Sequence, residues 1–105
     1  MAVQDLISID RDVPNFVRED AKRQGIENPV VLIMDCGCMM NQEGVVLDIK
    51  SHSEDGYEPY REVDGIKFFI SPKVKASADG GRIGIFTYGA GRFKRLEFFP
   101  AEKRP

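Results

Sequence analysis

The fold is decided by residues 30–44, which read VVLIMDCGCMMNQEG. Residues 30–34 form an unbroken apolar run rich in β-branched side chains, which is typical of a central strand covered on both faces. Asp35 ends this run, and the residues after it are polar, small or sulfur-containing. The strand therefore delivers Cys36 and Cys38 to a loop at its end. This one stretch predicts both the centre of a sheet and the candidate site.

The segment before this stretch predicts a short strand and one helix. Residues 3–9 alternate well enough for a first strand. An amphipathic helix is expected next, beginning near Asp10 or Asp12 and ending at Gly25, because helices favour acidic caps at the start and glycine at the end. Its apolar side chains recur at helical spacing, as expected for a helix that packs on a core; they are Val13, Phe16, Val17 and Ala21.

The segment after this stretch predicts a series of short strands. A strand over 45–49 returns antiparallel to 30–34, and further strands are expected over 60–63, 66–70, 82–88 and 93–99. Asp64-Gly65 is a two-residue hairpin signal, and residues 89–91 read as another turn. Residues 73–79 fit either a short helix or an extended link. The predicted fold class is α+β and mostly β: a sandwich or barrel of short strands with one N-terminal amphipathic helix.

Length and composition are those of a small globular protein. The chain has 105 residues, 42% hydrophobic and 30% charged, and a formal net charge of -2. This predicts a single domain over 1–105 with a loose tail from residue 100. The charge lacks the positive excess that nucleic-acid binding requires, and no segment is apolar enough to span a membrane. Without a recognisable secretory signal, we expect a cytoplasmic protein with reduced thiols.

The chemistry of the candidate site rests on Cys36 and Cys38. Gly37 between them allows a sharp backbone turn, so both sulfurs can be presented near one point. Thiolates are natural ligands of zinc and of iron in clusters, but a closed site uses four ligands, and one chain is short of that number. A site shared across a twofold axis would supply four sulfurs. The alternative is a buried, inert cysteine beside an incidental loop thiol.

Other residues of the chain have weaker functional readings. Met39 and Met40 are potential thioether ligands for copper(I), although methionines more often fill gaps in a core. His52 lies in a polar context that is typical of a solvated loop, and a Cys38–His52 nucleophilic pair is the alternative for this histidine. In Phe68-Phe69 and Phe98-Phe99, one ring of each pair must face outward in a strand. An exposed aromatic stripe would indicate a dimer or partner surface.

The order of these elements resembles the HesB-like family of A-type iron-sulfur cluster carriers. The resemblance covers roughly residues 6–98 and rests on a strand ending Ile-Ser-Ile-Asp, the helix, a strand entering Gly37-Cys38, the returning strand, an acidic loop and the run VDGIKFFIS at 63–71. It implies that Cys38 matches the first cysteine of the family. Family members also carry a Cys-Gly-Cys near the C-terminus, whereas this chain has no cysteine after Cys38. The usual three-cysteine arrangement is therefore excluded.

The resemblance implies a binding protein rather than an enzyme. Its cargo would be iron or an iron-sulfur cluster, and its partners would be proteins of iron-sulfur assembly. Our hypothesis from the number of thiols is that Cys38 holds the cargo together with the extra thiol of Cys36, in a homodimer. Two alternatives stay open. One is a non-enzymatic interaction domain that kept the fold and lost the metal. The other is thiol redox or sulfur-transfer chemistry, which requires a thiolate with a lowered pKa.

Overall fold

The structure, a computed structural model, describes residues 7–35, 45–77 and 80–99. Two helices and seven strands occur in these ranges, and the mostly β class is confirmed. The elements are β1 (Ser8–Ile9), α1 (Val13–Gln24), β2 (Val30–Asp35), β3 (Val45–Lys50), β4 (Glu58–Val63), β5 (Ile66–Ile70), α2 (Pro72–Ser77), β6 (Arg82–Tyr88) and β7 (Phe93–Phe99).

The strands form two mixed sheets. The four-stranded sheet has the order β3-β2-β5-β4, and the three-stranded sheet has the order β1-β6-β7. β2 is central and antiparallel to β3, as predicted, but it is parallel to β5. β1 is likewise parallel to β6. Hydrophobic alternation shows which face of a strand is buried and carries no information on direction, so the parallel pairings were not predicted.

α1 begins and ends where the sequence predicts. Asp12 occupies the N-cap position without a side-chain cap hydrogen bond, and Pro14 lies in the first turn, where its missing N–H has no helical partner. Gly25 ends the helix in the left-handed conformation, with a φ of 79°. The predicted core positions Val13, Val17 and Ala21 are buried, whereas Phe16 is half-buried.

A second helix, α2, resolves the open reading of residues 73–79 and adds to the one helix of the predicted fold class. The Ser71 hydroxyl accepts a hydrogen bond from Lys73 N–H (3.2 Å), which caps the first turn. Pro72 begins the helix, where proline is tolerated. Val74 is only 3% exposed and joins the core, so burial of one side chain fixes this short helix against the sheets.

One hydrophobic core joins the two sheets and both helices. Val31, Leu32 and Ile33 of β2 are all fully buried, which confirms the prediction of a strand covered on both faces. The buried cluster contains Ile7, Val13, Val17, Val31, Ile33, Ile66, Phe68, Ile70, Val74, Ile83 and Phe98. Phe69 and Phe99 are half-buried beside buried Phe68 and Phe98, as the alternation of each pair requires.

The turn between β4 and β5 has the predicted hairpin geometry. Asp64 and Gly65 have φ values of 50° and 82°, and the flanking residues Val63 and Ile66 are paired. A type I′ turn requires a positive φ at both central residues. Its backbone twist matches that of the two strands of a hairpin. The Arg18 guanidinium donates to the Asp64 carbonyl, so α1 is tied to the end of the four-stranded sheet.

The Tyr60 hydroxyl connects the two sheets. It accepts a hydrogen bond from Ile7 N–H (2.8 Å) and donates one to Ile7 C=O (3.0 Å), both partly buried. Tyr60→Phe leaves two backbone groups without this partner, so we expect the free energy of unfolding to fall by about 1–3 kcal/mol in urea denaturation. Tyr88→Phe is the control, because Tyr88 is 43% exposed. Equal effects of the two substitutions would contradict the assigned role of Tyr60.

Candidate functional site

The register of β2 and β3 fixes both ends of the loop that carries the cysteines. Asp35 pairs with Val45, and pairing continues without a break to Val30 and Lys50. Residues 36–44, including Cys36 and Cys38, lie outside the described residues. Because Asp35 and Val45 are directly opposite in an antiparallel pair, the loop leaves and re-enters the sheet at neighbouring positions. The structure therefore places the base of the loop, which we call the loop base, at the C-terminal end of β2.

The start of α2 lies beside the loop base. Ser71 N–H donates to the Ile33 carbonyl (2.9 Å), which extends the pairing of β2 with β5 by one hydrogen bond. Lys73 follows in the first turn of α2, and its ammonium lies 4.0 Å from an Asp35 carboxylate oxygen. The parallel pairing of β2 and β5 thus brings α2 to the end of the strand from which the thiols follow.

The charge of Asp35 also affects the pKa of Tyr57. Burial raises the pKa of the Tyr57 hydroxyl, and the carboxylates of Glu54 and Asp35 raise it further, whereas Lys50 lowers it. Tyr57 lies at the end of residues 51–57, which connect the far end of β3 to the start of β4. The ionised form of the Tyr57 hydroxyl is disfavoured by these carboxylates, so the loop base combines the Asp35 carboxylate and the Lys73 ammonium with a neutral tyrosine nearby.

A groove of about 410 Å³ adjoins the loop base. It runs between β3 and β7, with Phe16 of α1 among its lining residues, and Val45 at one side is the first described residue after the loop. Its lining mixes apolar side chains such as Leu47 and Leu96 with the charged groups of Asp20 and Lys94. An open, partly apolar surface therefore lies beside Val45.

The structure separates His52 from the loop base. His52 follows Lys50, which pairs with Val30 at the opposite end of β2 from Asp35. The five steps from Val45 to Lys50 span roughly 17 Å of extended strand. His52 is exposed, and its Nδ1 lies 3.0 Å from the Ser51 hydroxyl. The solvated-loop reading of this histidine is supported, and the strand register gives no support to a Cys38–His52 pair.

The remaining site predictions fall outside the described residues. Cys36, Cys38, Met39 and Met40 all lie in residues 36–44, so their roles stay predictions. Within the described ranges, no group of three or more His, Cys, Asp or Glu side chains could hold a metal ion. Sequence reasoning missed Lys73 and Tyr57 as neighbours of Asp35. Only the pairing of β2 with β5 and the path of residues 51–57 bring them there, and neither leaves a local sequence signal.

Two solved structures have the same arrangement of elements. SufA of Escherichia coli, involved in biosynthesis of iron-sulfur clusters, aligns with a TM-score of 0.63 and 18% identity over 95% of this chain and 96% of that chain. The chain shares the fold of SufA. A protein from Aquifex aeolicus aligns with a TM-score of 0.61 and 18% identity over 92% and 95% of the two chains. No family model matches the chain, and no curated protein matches it.

The similarity to SufA confirms the HesB-like resemblance at the level of the fold. It extends over nearly the whole length of both chains, so it includes the hairpin of β2 and β3 as well as the last hairpin, β6 and β7. In the described part of the chain, no helix is long and apolar enough to cross a membrane. A shared fold does not by itself assign a function, which has to be argued from the residues at the site.

Proposed function

We propose that this protein binds and carries iron or an iron-sulfur cluster through Cys38 and Cys36. The observation that carries the proposal is the pairing of Asp35 with Val45, which fixes the two residues that flank the thiol-bearing segment at the end of the central strand β2 and of its neighbour β3. A rigid base limits the positions that the two sulfurs can take. SufA, which shares the fold, is involved in biosynthesis of iron-sulfur clusters, and this supports the same class of cargo here.

The donor set of one chain is incomplete, and this favours a shared site. Each chain supplies two thiols, whereas clusters of the common types are held by four cysteine ligands. Two copies related by a twofold axis would supply the four sulfurs, each from an equivalent loop. Thiolates bind the cargo after they lose their protons, so binding by Cys36 and Cys38 weakens as the pH falls.

The proposal makes the protein a carrier in the cytoplasm, with other proteins of iron-sulfur assembly as donors or acceptors of the cargo. No substrate is converted, so no catalytic residue is assigned. The half-open surface around the loop base supports exchange, because Asp35 and Lys73 are solvent-accessible there. A carrier has to release its cargo to a partner, and the solvent-accessible surface at Asp35 and Lys73 gives that partner a place to approach.

Anaerobic reconstitution with ferrous iron and sulfide tests the proposal. We expect wild-type protein to gain the visible absorption of a thiolate-bound iron centre, with stoichiometric iron by metal analysis. Cys38→Ser should lose at least about tenfold in bound iron, because even the partners that only orient a metal ligand are worth about 10–100-fold in affinity. Met40→Ala is the matched control in the same loop, and it should reconstitute like wild type if Met40 only packs.

A colourless wild-type protein would refute metal carriage. It would leave the interaction-domain alternative, for which the Cys36→Ser, Cys38→Ser double variant keeps partner binding. If Cys38→Ser kept the visible absorption and Met40→Ala lost it, the iron would be bound at a site other than the thiol pair. Alkylation of Cys38 at a rate well above that of a model thiol, without iron binding, would favour thiol redox or sulfur transfer instead.

A further inference from the structure

The outer face of the three-stranded sheet exposes a row of aromatic side chains. Phe86 lies opposite Arg95, and Tyr88 lies opposite Phe93, in the register of β6 and β7. Phe86, Tyr88 and Phe93 are 40%, 43% and 54% exposed, although large aromatic side chains are usually well covered in small domains. In the described ranges β1 pairs with Arg82 and Ile83 alone, so this part of the hairpin extends beyond the described third strand.

These rings are held in place by contacts within the face. The centroids of Phe86 and Tyr88 are 6.1 Å apart, and those of Tyr88 and Phe93 are 5.4 Å apart, with nearly parallel planes. The Arg95 guanidinium lies 5.3 Å from the Phe86 centroid and 5.5 Å from the Tyr88 centroid. A surface that is ordered before binding loses little side-chain entropy on association. Aromatic residues and arginine are also the residues that dominate binding energy at protein interfaces.

The charges on this face occur in opposite pairs. Arg95 bonds to Glu97 (3.1 Å), and Arg82, which lies 4.2 Å from the centroid of the Phe99 ring, is paired with Asp10. Nucleic acid or an acidic peptide would require an unbalanced positive charge. A face that packs on a copy of itself instead needs both signs, because an excess of either sign would repel across the twofold axis.

We infer that this face is a contact between two copies of the chain, packed face to face about a twofold axis. Antiparallel packing of two such faces sets the aromatic row of one copy against that of the other and lets Arg95 approach Glu97 of the partner subunit. Stable interfaces bury about 800 Å² on each partner. The seven paired residues of β6 and β7 span only about 23 Å, so a face made of these two strands offers less area than that. The contact is therefore a weak, concentration-dependent dimer. It needs neither the thiols nor a metal.

Sedimentation equilibrium of the reduced, metal-free protein tests this contact. Over about 10 µM to 1 mM we expect wild type to pass from monomer towards dimer, in the range of weak association. Phe93→Glu places an unpaired charge in the row and should raise the dimer dissociation constant at least about tenfold. Thr87→Glu is the matched control: it changes the same hairpin on the opposite face of β6 and should dimerise like wild type.

Other results would overturn the inference. A wild-type monomer at about 1 mM, or equal weakening by Phe93→Glu and Thr87→Glu, would exclude this face as the contact. The Cys36→Ser, Cys38→Ser double variant separates this proposal from metal carriage, because the face contact should survive it. Dimers that form only after reconstitution with iron would assign association to a shared metal and not to the aromatic row. Amide spectra of each variant confirm that the fold is intact.

Discussion

Phe68→Ala is expected to lower the free energy of unfolding by about 3–5 kcal/mol. Phe68 is 1% exposed and lies on β5, paired with Val31 on one side and with Arg61 on the other. Its ring fills the space between the four-stranded sheet and the elements packed on it. Truncation removes the buried apolar surface of the ring and leaves a cavity. β5 is hydrogen-bonded to β2 on one side and to β4 on the other, so the backbone cannot move to fill the cavity. A domain of this size is stable by only about 5–15 kcal/mol, so the variant should be marginal at 37 °C.

Phe86→Ala provides the matched control for this loss. It deletes the same side chain from a strand position that is 40% exposed, so we expect a decrease of about 1 kcal/mol or less. Urea denaturation followed by far-UV circular dichroism measures both values, with a shared m-value as the check on two-state behaviour. A decrease for Phe68→Ala no larger than that for Phe86→Ala would show that the core is centred elsewhere.

The elements with local signals could be predicted from the sequence. α1 has helical spacing of apolar residues and a glycine end, β2 is a continuous apolar run, and Asp64-Gly65 has the conformational freedom that its turn requires. In each case the residues that encode the element are within a few positions of one another. The class of the fold followed from the order of such elements.

The features set by distant residues could not be predicted in this way. The parallel pairing of β2 with β5 joins residues 37 positions apart, such as Val31 and Phe68, and no local pattern encodes it. The position of Lys73 beside Asp35 is a consequence of that pairing. The two cysteines were identified from their chemistry. The residues beside Asp35, at the end of β2, could be located only from the pairing of β2 with β3 and β5. The candidate ligands were therefore predicted from the sequence, whereas the residues beside Asp35 are set by the topology.

Gly81→Ala is the second substitution with a large expected effect. Gly81 has a φ of 109°, and a methyl group there would lie 2.7 Å from Phe98 Cζ and 2.8 Å from the Phe99 carbonyl oxygen. An alanine in that conformation is strained by about 1–3 kcal/mol. Displacing the Phe98 ring, which is 9% exposed, adds a penalty of about 1–3 kcal/mol for overpacking. We expect a total decrease in unfolding free energy of about 2–6 kcal/mol.

Gly91→Ala isolates the packing part of this effect. Gly91 also has a positive φ, of 85°, but nothing lies within 4 Å of the position that a methyl group would take. Its substitution should therefore cost only the backbone strain, about 1–2 kcal/mol. Amide hydrogen exchange locates the difference, because Ser8 N–H donates to the Gly81 carbonyl (3.0 Å). Gly81→Ala should lower protection at Ser8 as β1 detaches from β6, whereas Gly91→Ala should leave it unchanged. Loss of protection at Ser8 in both variants would mean that β1 is held by the stability of the whole hairpin and not by the close contact at Gly81.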